Sequence, residues 1–464
     1  MKQRKRILAM LLAGCMVSGG MTPFESSAKE SDSAVIDVTE YGVTPDSGQD
    51  CAEGIQAALD EAKKLSDEGK NVVLDFPTGR YDIYPDRAEE RELYISNTVG
   101  ANQDHKMKKI GILTSGGDCQ SLNATMRGVA KALYKMFEDV EIIGFEDGYK
   151  GLMYADYQIM KPSDFSGILT RGGTILGTSR QPFKLMRVPD KDGLDKVAAM
   201  KHTYHKLSLD CLVILGGNGT HKTANLLREE GLNVVTLPKT IDNDLWGTDM
   251  TFGFQSAVDI ATDTIDRIHT TATSHSRVFI IEVMGHKVGH VTLHAGIAGG
   301  ADVILLPEIP YDIDVVTDVI QKRAAADKKF TIIAVAEGAI SKEDARLKKK
   351  EYKEKLAKRK YPSIAYELAE KIQQKTDKEV RITVPGHTQR GGSPCAYDRV
   401  FATRVGAAAA ELILNQEYGY MIAMKNQKIT KVPLQDVAGK LKMVDPQDGI
   451  IKEARTIGIS FGDQ

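Results

Sequence analysis

Residues 238–244 read Pro-Lys-Thr-Ile-Asp-Asn-Asp, and the sequence on both sides of this stretch predicts the fold. A short apolar run, residues 233–237, leads straight into it. An earlier run, residues 211–215, ends in the glycine turn Gly-Gly-Asn-Gly-Thr at 216–220. Short apolar runs that end in glycine are typical of buried strands in a parallel sheet. Because ligands of open α/β sheets bind at the carboxyl ends of the strands, we expect the glycine turn and the aspartates to lie side by side.

Asp242 and Asp244 carry the chemistry that this stretch predicts. In an extended segment, residues two apart point to the same side. One carboxylate could then accept a proton from a substrate hydroxyl while the other holds Mg²⁺, directly or through water. Phosphoryl transfer needs both functions. The alternative is a polar turn with an Asx cap, which is the commoner structure for Asp-Asn-Asp alone. The motifs around the stretch favour the first interpretation.

Composition places the chain among ordinary soluble globular proteins. Its 464 residues have room for two or three domains. A net charge of −2 gives no bulk attraction to nucleic acid or to a membrane surface, so neither is predicted as a partner. Five cysteines, an odd number without zinc-like spacing, argue against a disulfide framework. Cys119 and Cys395, beside glycine-rich motifs, are expected to be reduced thiols of a reducing compartment.

Residues 1–20 indicate a different destination. A basic start, a short apolar run at 7–13 and Cys15 together resemble a secretory signal with a bacterial lipoprotein box. The apolar run is too short to span a bilayer, and no later segment is long and apolar enough. Membrane association is therefore predicted only if this signal is used, and it conflicts with a cytoplasmic location for the rest of the chain.

Residues 21–106 form a separate segment. Strand-like residues 34–38 and 71–77 flank an amphipathic helix at 52–65. The stretches DVTEYGVTPDSGQD, IQAALDEA and VVLDFPTGRYDI resemble the first coil of right-handed parallel β-helix glycosidases. Such a fold needs several stacked coils to bury a core, and the pattern stops near Met107. We therefore expect a fragment with no catalytic role.

A second pattern starts at Met107 and continues to the C-terminus. A strand at 107–113 runs into the glycine turn 114–118, and a helix follows at 123–135. The start of such a helix suits a phosphate. Nine motifs follow one another along this part of the chain: KKIGILTSGGDCQSLNA, GFEDGYKGL, ILTRGGTILGTSR, ILGGNGT, PKTIDND, GFQSAV, EVMGHKVG, AGIAGGAD and VPGHTQRGGSP.

These motifs resemble the 6-phosphofructokinases over about three quarters of the chain. The resemblance implies an α/β fold of two lobes, each a mostly parallel sheet flanked by helices, with the active site between them. Lobe one would comprise residues 107–255 and 396–450, and lobe two residues 256–395. The alternation of strand and helix patterns agrees with this class.

The resemblance also implies the site residues and the ligands. The activity implied is phosphorylation of fructose 6-phosphate by ATP with Mg²⁺. Asp242 would be the base and Thr240 would lie beside the transferred phosphoryl group. The nucleotide would contact Gly116, Arg180, Gln181, Asn218, Gly219 and Thr220, and the metal Asn218 and Asp244. The sugar phosphate would contact Thr240, Asp242, Asp244, Arg277, Met284, Gly285, His286, Glu337, Arg381, His387 and Arg390. Arg277 and Arg381 would come from a neighbouring subunit, in a homodimer or homotetramer with shared active sites.

The phosphoryl donor depends on two positions that disagree. In the resembling family, glycine at the position of Gly219 accompanies ATP, and aspartate there accompanies pyrophosphate. Lysine at the position of Lys239 is commoner in pyrophosphate enzymes, although some ATP enzymes have it. We expect ATP, because a blocking side chain is harder to accommodate than one added cation. A pyrophosphate-dependent kinase is the alternative.

Four further features depart from the family pattern or stand outside it. Asn218 replaces a frequent aspartate near the metal, and His286 replaces a frequent arginine. The charged run 342–360 predicts a solvated helix. Trp246, the single tryptophan, is expected to pack against the wall of the site. An inactive chimera, or a lipid-anchored carbohydrate-surface protein, is the remaining alternative.

Overall fold

The computed structural model describes residues 33–47, 49–68, 70–77 and 107–464. The predicted signal at 1–20 and residues 78–106 of the β-helix-like segment lie outside the described residues. The chain divides into two units, Met1–Lys106 and Met107–Gln464.

The described residues of the first unit form a strand–helix–strand element. β1 (Ser33–Asp37) and β2 (Asn71–Asp75) pair in parallel, and α1 (Ala52–Asp67) connects them. A 3₁₀ turn at Val38–Tyr41 follows β1. The apolar face of α1, with Ile55, Ala58 and Ala62, is buried against the residues around β1. Within the described part of this unit the sheet has two strands, which amount to a single coil.

The second unit contains eleven strands. They are β3 (Lys108–Ser115), β4 (Val140–Phe145), β5 (Tyr157–Met160), β6 (Cys211–Gly216), β7 (Val234–Pro238), β8 (Val278–Val283), β9 (Val303–Leu305), β10 (Thr331–Ala336), β11 (Val380–Thr383), β12 (Tyr420–Lys425) and β13 (Lys428–Pro433).

The helices of this unit follow the strands in alternation. They are α2 (Leu122–Met136), α3 (Tyr149–Tyr154), α4 (Lys196–Lys206), α5 (Asn218–Glu229), α6 (Phe254–Ala272), α7 (His290–Ala298), α8 (Ile313–Ala325), α9 (Lys342–Ala345), α10 (Lys349–Ala357), α11 (Ile364–Lys375), α12 (Ala396–Leu414), α13 (Leu434–Val437) and α14 (Gly449–Thr456). Short 3₁₀ turns occur at Pro162–Phe165, Phe183–Leu185 and Gly386–Arg390.

Two sheets build two lobes. Lobe one has seven strands in the order β13-β12-β7-β6-β3-β4-β5, with antiparallel strands at its two edges. Lobe two has four parallel strands in the order β11-β8-β10-β9. The central strands β6, β7, β8 and β10 are buried along their whole length because helices cover both faces of each sheet. The predicted fold class is confirmed.

The chain returns from lobe two to lobe one through α12, which lies against α2. A side chain at Gly128 or Gly406 would meet backbone atoms of the opposite helix, so the two glycines permit close contact between the helices. From Val444 onward the chain packs again on lobe two, where Ile451 and Phe461 are buried. The segment around residue 440 therefore passes from one lobe to the other.

The charged run at 342–360 folds as two short helices, α9 and α10, in which no residue is buried. This agrees with a solvated face. Among the described residues, no helix combines the length and the apolar character needed to cross a bilayer.

Candidate active site

Polar groups gather where the order of strands in lobe one reverses. β3 lies between β4 and β6, and the chain proceeds outward in opposite directions on its two sides. Ser115 is in register with Gly216, and Gly216 with Pro238. The turns that follow β3, β6 and β7 therefore start side by side, at the point where open α/β sheets bind ligands. The position predicted for the glycine turn and the aspartates is the one observed.

The loop after β7 turns sharply between its two aspartates. Asn243 has φ +54°, the left-handed conformation that asparagine tolerates better than most residues. The expectation that Asp242 and Asp244 share a side because the segment is extended was therefore wrong in its reasoning. The amide of Asp242 donates a hydrogen bond to Thr240 Oγ1 at 3.0 Å, so that Thr240 starts the turn.

Burial shifts the pKa of both carboxylates upward. Burial, followed by the charge of Asp244, raises the pKa of Asp242 to about 6, while Arg390 and His286 oppose this shift. Burial also raises the pKa of Asp244, again opposed by His286. Since the Asp242 pKa stays below 7, this group is mostly ionised at neutral pH and is able to accept a proton.

The carboxylates of this loop suit a magnesium ion that binds together with a substrate. Asp244 is 7% exposed, and its charge acts on Asp242, whose pKa it raises. In the described ranges, no group of three or more histidine, cysteine, aspartate or glutamate side chains could hold a metal. Mg²⁺ is commonly bound by one or two carboxylates together with substrate phosphates and water.

Asn218, the other predicted metal ligand, has a different partner in the structure. Its side-chain Nδ2 donates a hydrogen bond to the carbonyl oxygen of Lys440 at 2.5 Å. This contact uses the amide nitrogen, a group that the aspartate common at this position does not have.

The turn after β3 and the segment beside it carry the predicted nucleotide-binding residues Gly116, Arg180 and Gln181, here called the donor side together with the first turn of α5. Gly116 has φ +87°, and its amide donates to Ser179 O at 3.1 Å. This bond brings the following residues, Arg180 and Gln181, beside the turn. Arg180 is exposed. The predicted nucleotide-binding residues on these two segments are therefore neighbours.

Helix α5 begins at Asn218, so the backbone N–H groups of its first turn point toward the same space. A Cβ atom at Gly219 would have no neighbour within 4 Å. Thr220 is buried, and its hydroxyl donates to Ser115 O at 3.3 Å. Thr220 thus joins α5 to β3 through its side chain, while Gly219 leaves the space above the turn open.

Lys239 lies under the glycine turn. It is 3% exposed, and its ammonium group donates a hydrogen bond to the carbonyl of Gly117. Burial lowers the pKa of this lysine. The side chain of Lys239 therefore connects the end of β7 with the turn after β3.

The residues of lobe two that are predicted to bind the sugar phosphate are here called the acceptor side. β8 and β10 are in register up to Val283 and Ala336, which places Met284 beside Glu337. Glu337 Oε1 accepts hydrogen bonds from the amides of Gly285, at 3.2 Å, and of His286. His286 has φ +53° and an exposed side chain. The carboxylate of Glu337 thus holds the backbone of the Met-Gly-His turn.

Arg390 connects the two lobes. It ends the 3₁₀ turn Gly386–Arg390, and its Nη1 donates to Asp118 O at 2.8 Å. A Cβ atom at Gly117 would lie 2.9 Å from the same Nη1, so a side chain at residue 117 would displace the end of the Arg390 side chain. His387, in the same 3₁₀ turn, is exposed.

The structure does not bring Arg277 and Arg381 to the other site residues of their own chain. Both form ion pairs with Glu379. Arg277 precedes β8 and Arg381 is in register with Phe279, whereas Met284 follows the opposite end of β8. At roughly 3.3 Å per residue, the two ends of this strand are about 20 Å apart.

Two positioning residues were missed by the sequence analysis. Gln389 is fully buried, and its Oε1 accepts from the amide of Met284 at 3.0 Å. It lies within a quoted motif, so a polar residue between His387 and Arg390 was an available signal. Lys442 contacts the loop after β7 from a segment that carries no recognisable motif. Trp246, expected to pack against the site, is 49% exposed instead.

Comparisons with known proteins agree with this geometry. A family model described as Phosphofructokinase matches residues 109–413. An ATP-dependent 6-phosphofructokinase of Spirochaeta thermophila is 55% identical over 363 residues, which are 77% of this chain and 98% of that protein. ATP-dependent 6-phosphofructokinase 3 of Bacteroides thetaiotaomicron is 47% identical over 355 residues, 76% of this chain and all of that protein.

Solved structures give the same result. Phosphofructokinase from Saccharomyces cerevisiae matches with a TM-score of 0.59 at 31% identity, over 71% of this chain and 45% of that one. A pyrophosphate-dependent phosphofructokinase from Marinobacter aquaeolei matches with a TM-score of 0.63 at 21% identity, over 76% of this chain and 92% of that one. The second similarity concerns the fold alone.

Proposed function

The chain belongs to the phosphofructokinase family, and we propose that it transfers the γ-phosphoryl group of ATP to the 1-hydroxyl of fructose 6-phosphate. The products are ADP and fructose 1,6-bisphosphate. The observation that carries this proposal is the position of Asp242, a carboxylate with a pKa of about 6 between a donor side and an acceptor side.

In the proposed reaction, the ionised carboxylate of Asp242 accepts the proton of the attacking hydroxyl. Thr240, at the start of the same turn, lies beside the transferred group. The first turn of α5 and the turn at Gly116 provide backbone N–H groups for the donor phosphates. Asp244, together with the donor phosphates, would hold Mg²⁺, which would supply positive charge beside the transferred group.

The acceptor is held by lobe two in this proposal. Glu337 and the Met284-Gly285 turn contact the sugar. Arg390 and His387 contact its phosphate, a dianion that favours several converging donors. His286 interacts electrostatically with both aspartates and lowers the pKa of each. The histidine stands in place of a guanidinium, which would carry a permanent charge.

Two observations support ATP as the donor. The space above Gly219 is open, so no side chain blocks a nucleotide. Lys239 is buried and bonded to Gly117, which gives this lysine a structural partner that does not depend on pyrophosphate. The relatives named above are ATP-dependent by name.

The proposed function predicts the outcome of a coupled assay on the full chain. With fructose 6-phosphate and Mg²⁺, we expect turnover with ATP and a kcat/KM for pyrophosphate at least about 100-fold lower, because specificity depends on the open position. Comparable rates with both donors would contradict the role given to Gly219. Turnover with pyrophosphate alone would make this a pyrophosphate-dependent kinase, and no turnover with either would contradict the function.

We further propose that the active site is shared between protomers of a homo-oligomer. Arg277 and Arg381 lie about 20 Å from Met284 of the same chain, by the length of β8, so they would serve a neighbouring copy. This arrangement predicts complementation. Asp242→Asn and Arg277→Ser proteins should each be nearly inactive alone, and mixtures refolded together should regain activity.

The gain has a simple origin. In a mixed pair, one site combines both defects, and the other combines an intact Asp242 with an intact Arg277. A mixture of two Asp242→Asn samples is the matched control and should gain nothing. If mixing the two different variants restores no activity although they co-assemble, each site is built from one chain.

The proposed location is the cytoplasm, because the donor ATP is available there. The lipoprotein-like signal at residues 1–20 remains a prediction that lies outside the described part of the chain.

A further inference from the structure

One short segment contacts both the first turn of α5 and the loop that carries the aspartates. Residues 440–444, here called the strap, cross from lobe one to lobe two. Near its start, the carbonyl of Lys440 accepts the hydrogen bond from Asn218 Nδ2. At its end, the amide of Val444 donates to Glu308 Oε1 of lobe two at 3.0 Å. Both ends of the strap are therefore anchored.

The middle of the strap lies along the loop that carries the aspartates. Leu441 forms an antiparallel bridge with Leu245. The amide of Lys442 donates to the carbonyl of Asp244 at 2.9 Å. Because this bond fixes the backbone of Asp244, the position of its carboxylate depends on the strap.

The ammonium group of Lys442 makes three further contacts with the same loop. It donates to Asn243 Oδ1 at 3.0 Å, to Thr248 O at 2.9 Å and to Asp249 O at 2.9 Å. An ammonium group has three donors, so all of them are used. Asn243 is the residue in the left-handed conformation between the two aspartates.

We propose that Lys442 is a positioning residue for phosphoryl transfer, which holds the 240–249 loop so that Asp242 and Asp244 face the substrates. The inference rests on the proposed function. Lys442 lies behind the loop and contacts neither the donor turn nor the acceptor side through its ammonium group. Its role is to satisfy three oxygens of a tight turn with one buried cation, a geometry that a flexible lysine stem reaches.

Asn218 has a matching role at the other end of the strap. An aspartate there would place a second oxygen against the Lys440 carbonyl with no hydrogen between them. Asparagine joins the strap to the first turn of α5, where the donor phosphates are proposed to bind. The strap therefore connects the donor turn with the loop of the aspartates.

The test compares Lys442→Met with Lys428→Met. Methionine keeps an unbranched apolar stem and removes the three hydrogen bonds. Lys428 is an exposed lysine at the start of β13 and is the matched control. For Lys442→Met we expect kcat to fall about 10- to 100-fold, since misplacing reacting groups by about 1 Å costs up to about 100-fold. The KM for fructose 6-phosphate should stay within about twofold, because the ammonium group of Lys442 contacts Asn243, Thr248 and Asp249 and none of the residues proposed to bind the sugar.

A second readout follows the loop directly. Trp246 lies within the loop and is the only tryptophan of the chain, so its fluorescence anisotropy reports loop motion without further labelling. We expect the anisotropy to fall in Lys442→Met and to stay unchanged in Lys428→Met. A general loss of folding would instead lower the melting temperature and the amount of active protein, without this split between kcat and KM.

Unchanged kcat and unchanged anisotropy in Lys442→Met would overturn the proposal. If the methionine variant does not fold, Lys442→Gln keeps a polar end group on a shorter stem and is measured by the same two readouts, with the same expectations. A wild-type chain without kinase activity would contradict the proposed function, and the anisotropy would still decide whether Lys442 orders the loop.

Discussion

Asp242→Asn is expected to lower kcat about 1,000-fold, within the range of 100- to 10,000-fold that a positioned general base contributes. The amide is nearly the same size as the carboxylate, so the loop after β7 keeps its shape. What is lost is the carboxylate proposed to accept the hydroxyl proton, whose pKa of about 6 leaves it mostly ionised at neutral pH. The KM for ATP should change little, because Asp242 is proposed to contact the sugar hydroxyl and not the nucleotide.

The thermal stability of Asp242→Asn provides a second, independent test of this prediction. Because the fold raises the pKa of Asp242 above its unfolded value, the ionised carboxylate opposes folding at neutral pH. Removing the charge should therefore leave the melting temperature equal or raise it. Loss of turnover without loss of stability separates a catalytic role from a structural one.

The matched control is Asp266→Asn. Asp266 is exposed on α6, and the same substitution there should alter neither kcat nor the melting temperature. If Asp242→Asn keeps more than about a tenth of the wild-type kcat, another group accepts the proton and the assignment of the base is wrong.

The donor side could be predicted from the sequence because its signals are local. Apolar runs that end in glycine indicate buried parallel strands, and the carboxyl ends of such strands meet at one edge. Gly116, Gly219 and the two aspartates follow directly from this pattern. The sharp turn at Asn243 was missed because Asp-Asn-Asp does not itself distinguish a turn from an extended segment.

The remaining parts depend on contacts between distant residues. Lys442 lies about 200 positions after the loop that it holds, and nothing in its immediate neighbours marks it. Thr220 was predicted to bind the nucleotide, but its hydroxyl is bonded to Ser115, and this pairing arises only when α5 packs on β3. For Arg277, the sequence shows an arginine before a predicted strand. It does not show which end of the sheet lies near the phosphate that this arginine is proposed to bind.

Gly219→Asp is expected to lower kcat/KM for ATP about 100-fold, because juxtaposed like charges cost several kcal/mol. The position lies in the first turn of α5, and a Cβ atom there meets no neighbour. An aspartate is therefore accommodated by the fold, and its charge is even favourable at a helix N-terminus. Its carboxylate would, however, project into the space proposed for the nucleotide phosphates.

Gly219→Ala separates the charge from the backbone. Alanine adds the same Cβ atom without the carboxylate, so we expect kcat/KM for ATP to stay within about threefold of the wild-type value, or about 0.65 kcal/mol. Lys239 is unchanged in both variants and still lies under the turn at Gly117. Turnover of pyrophosphate by Gly219→Asp would therefore show that this lysine supports either donor once the nucleotide is excluded. Equal losses in the alanine and aspartate variants would instead mean that helix geometry at residue 219, and not the open space above it, determines the use of ATP.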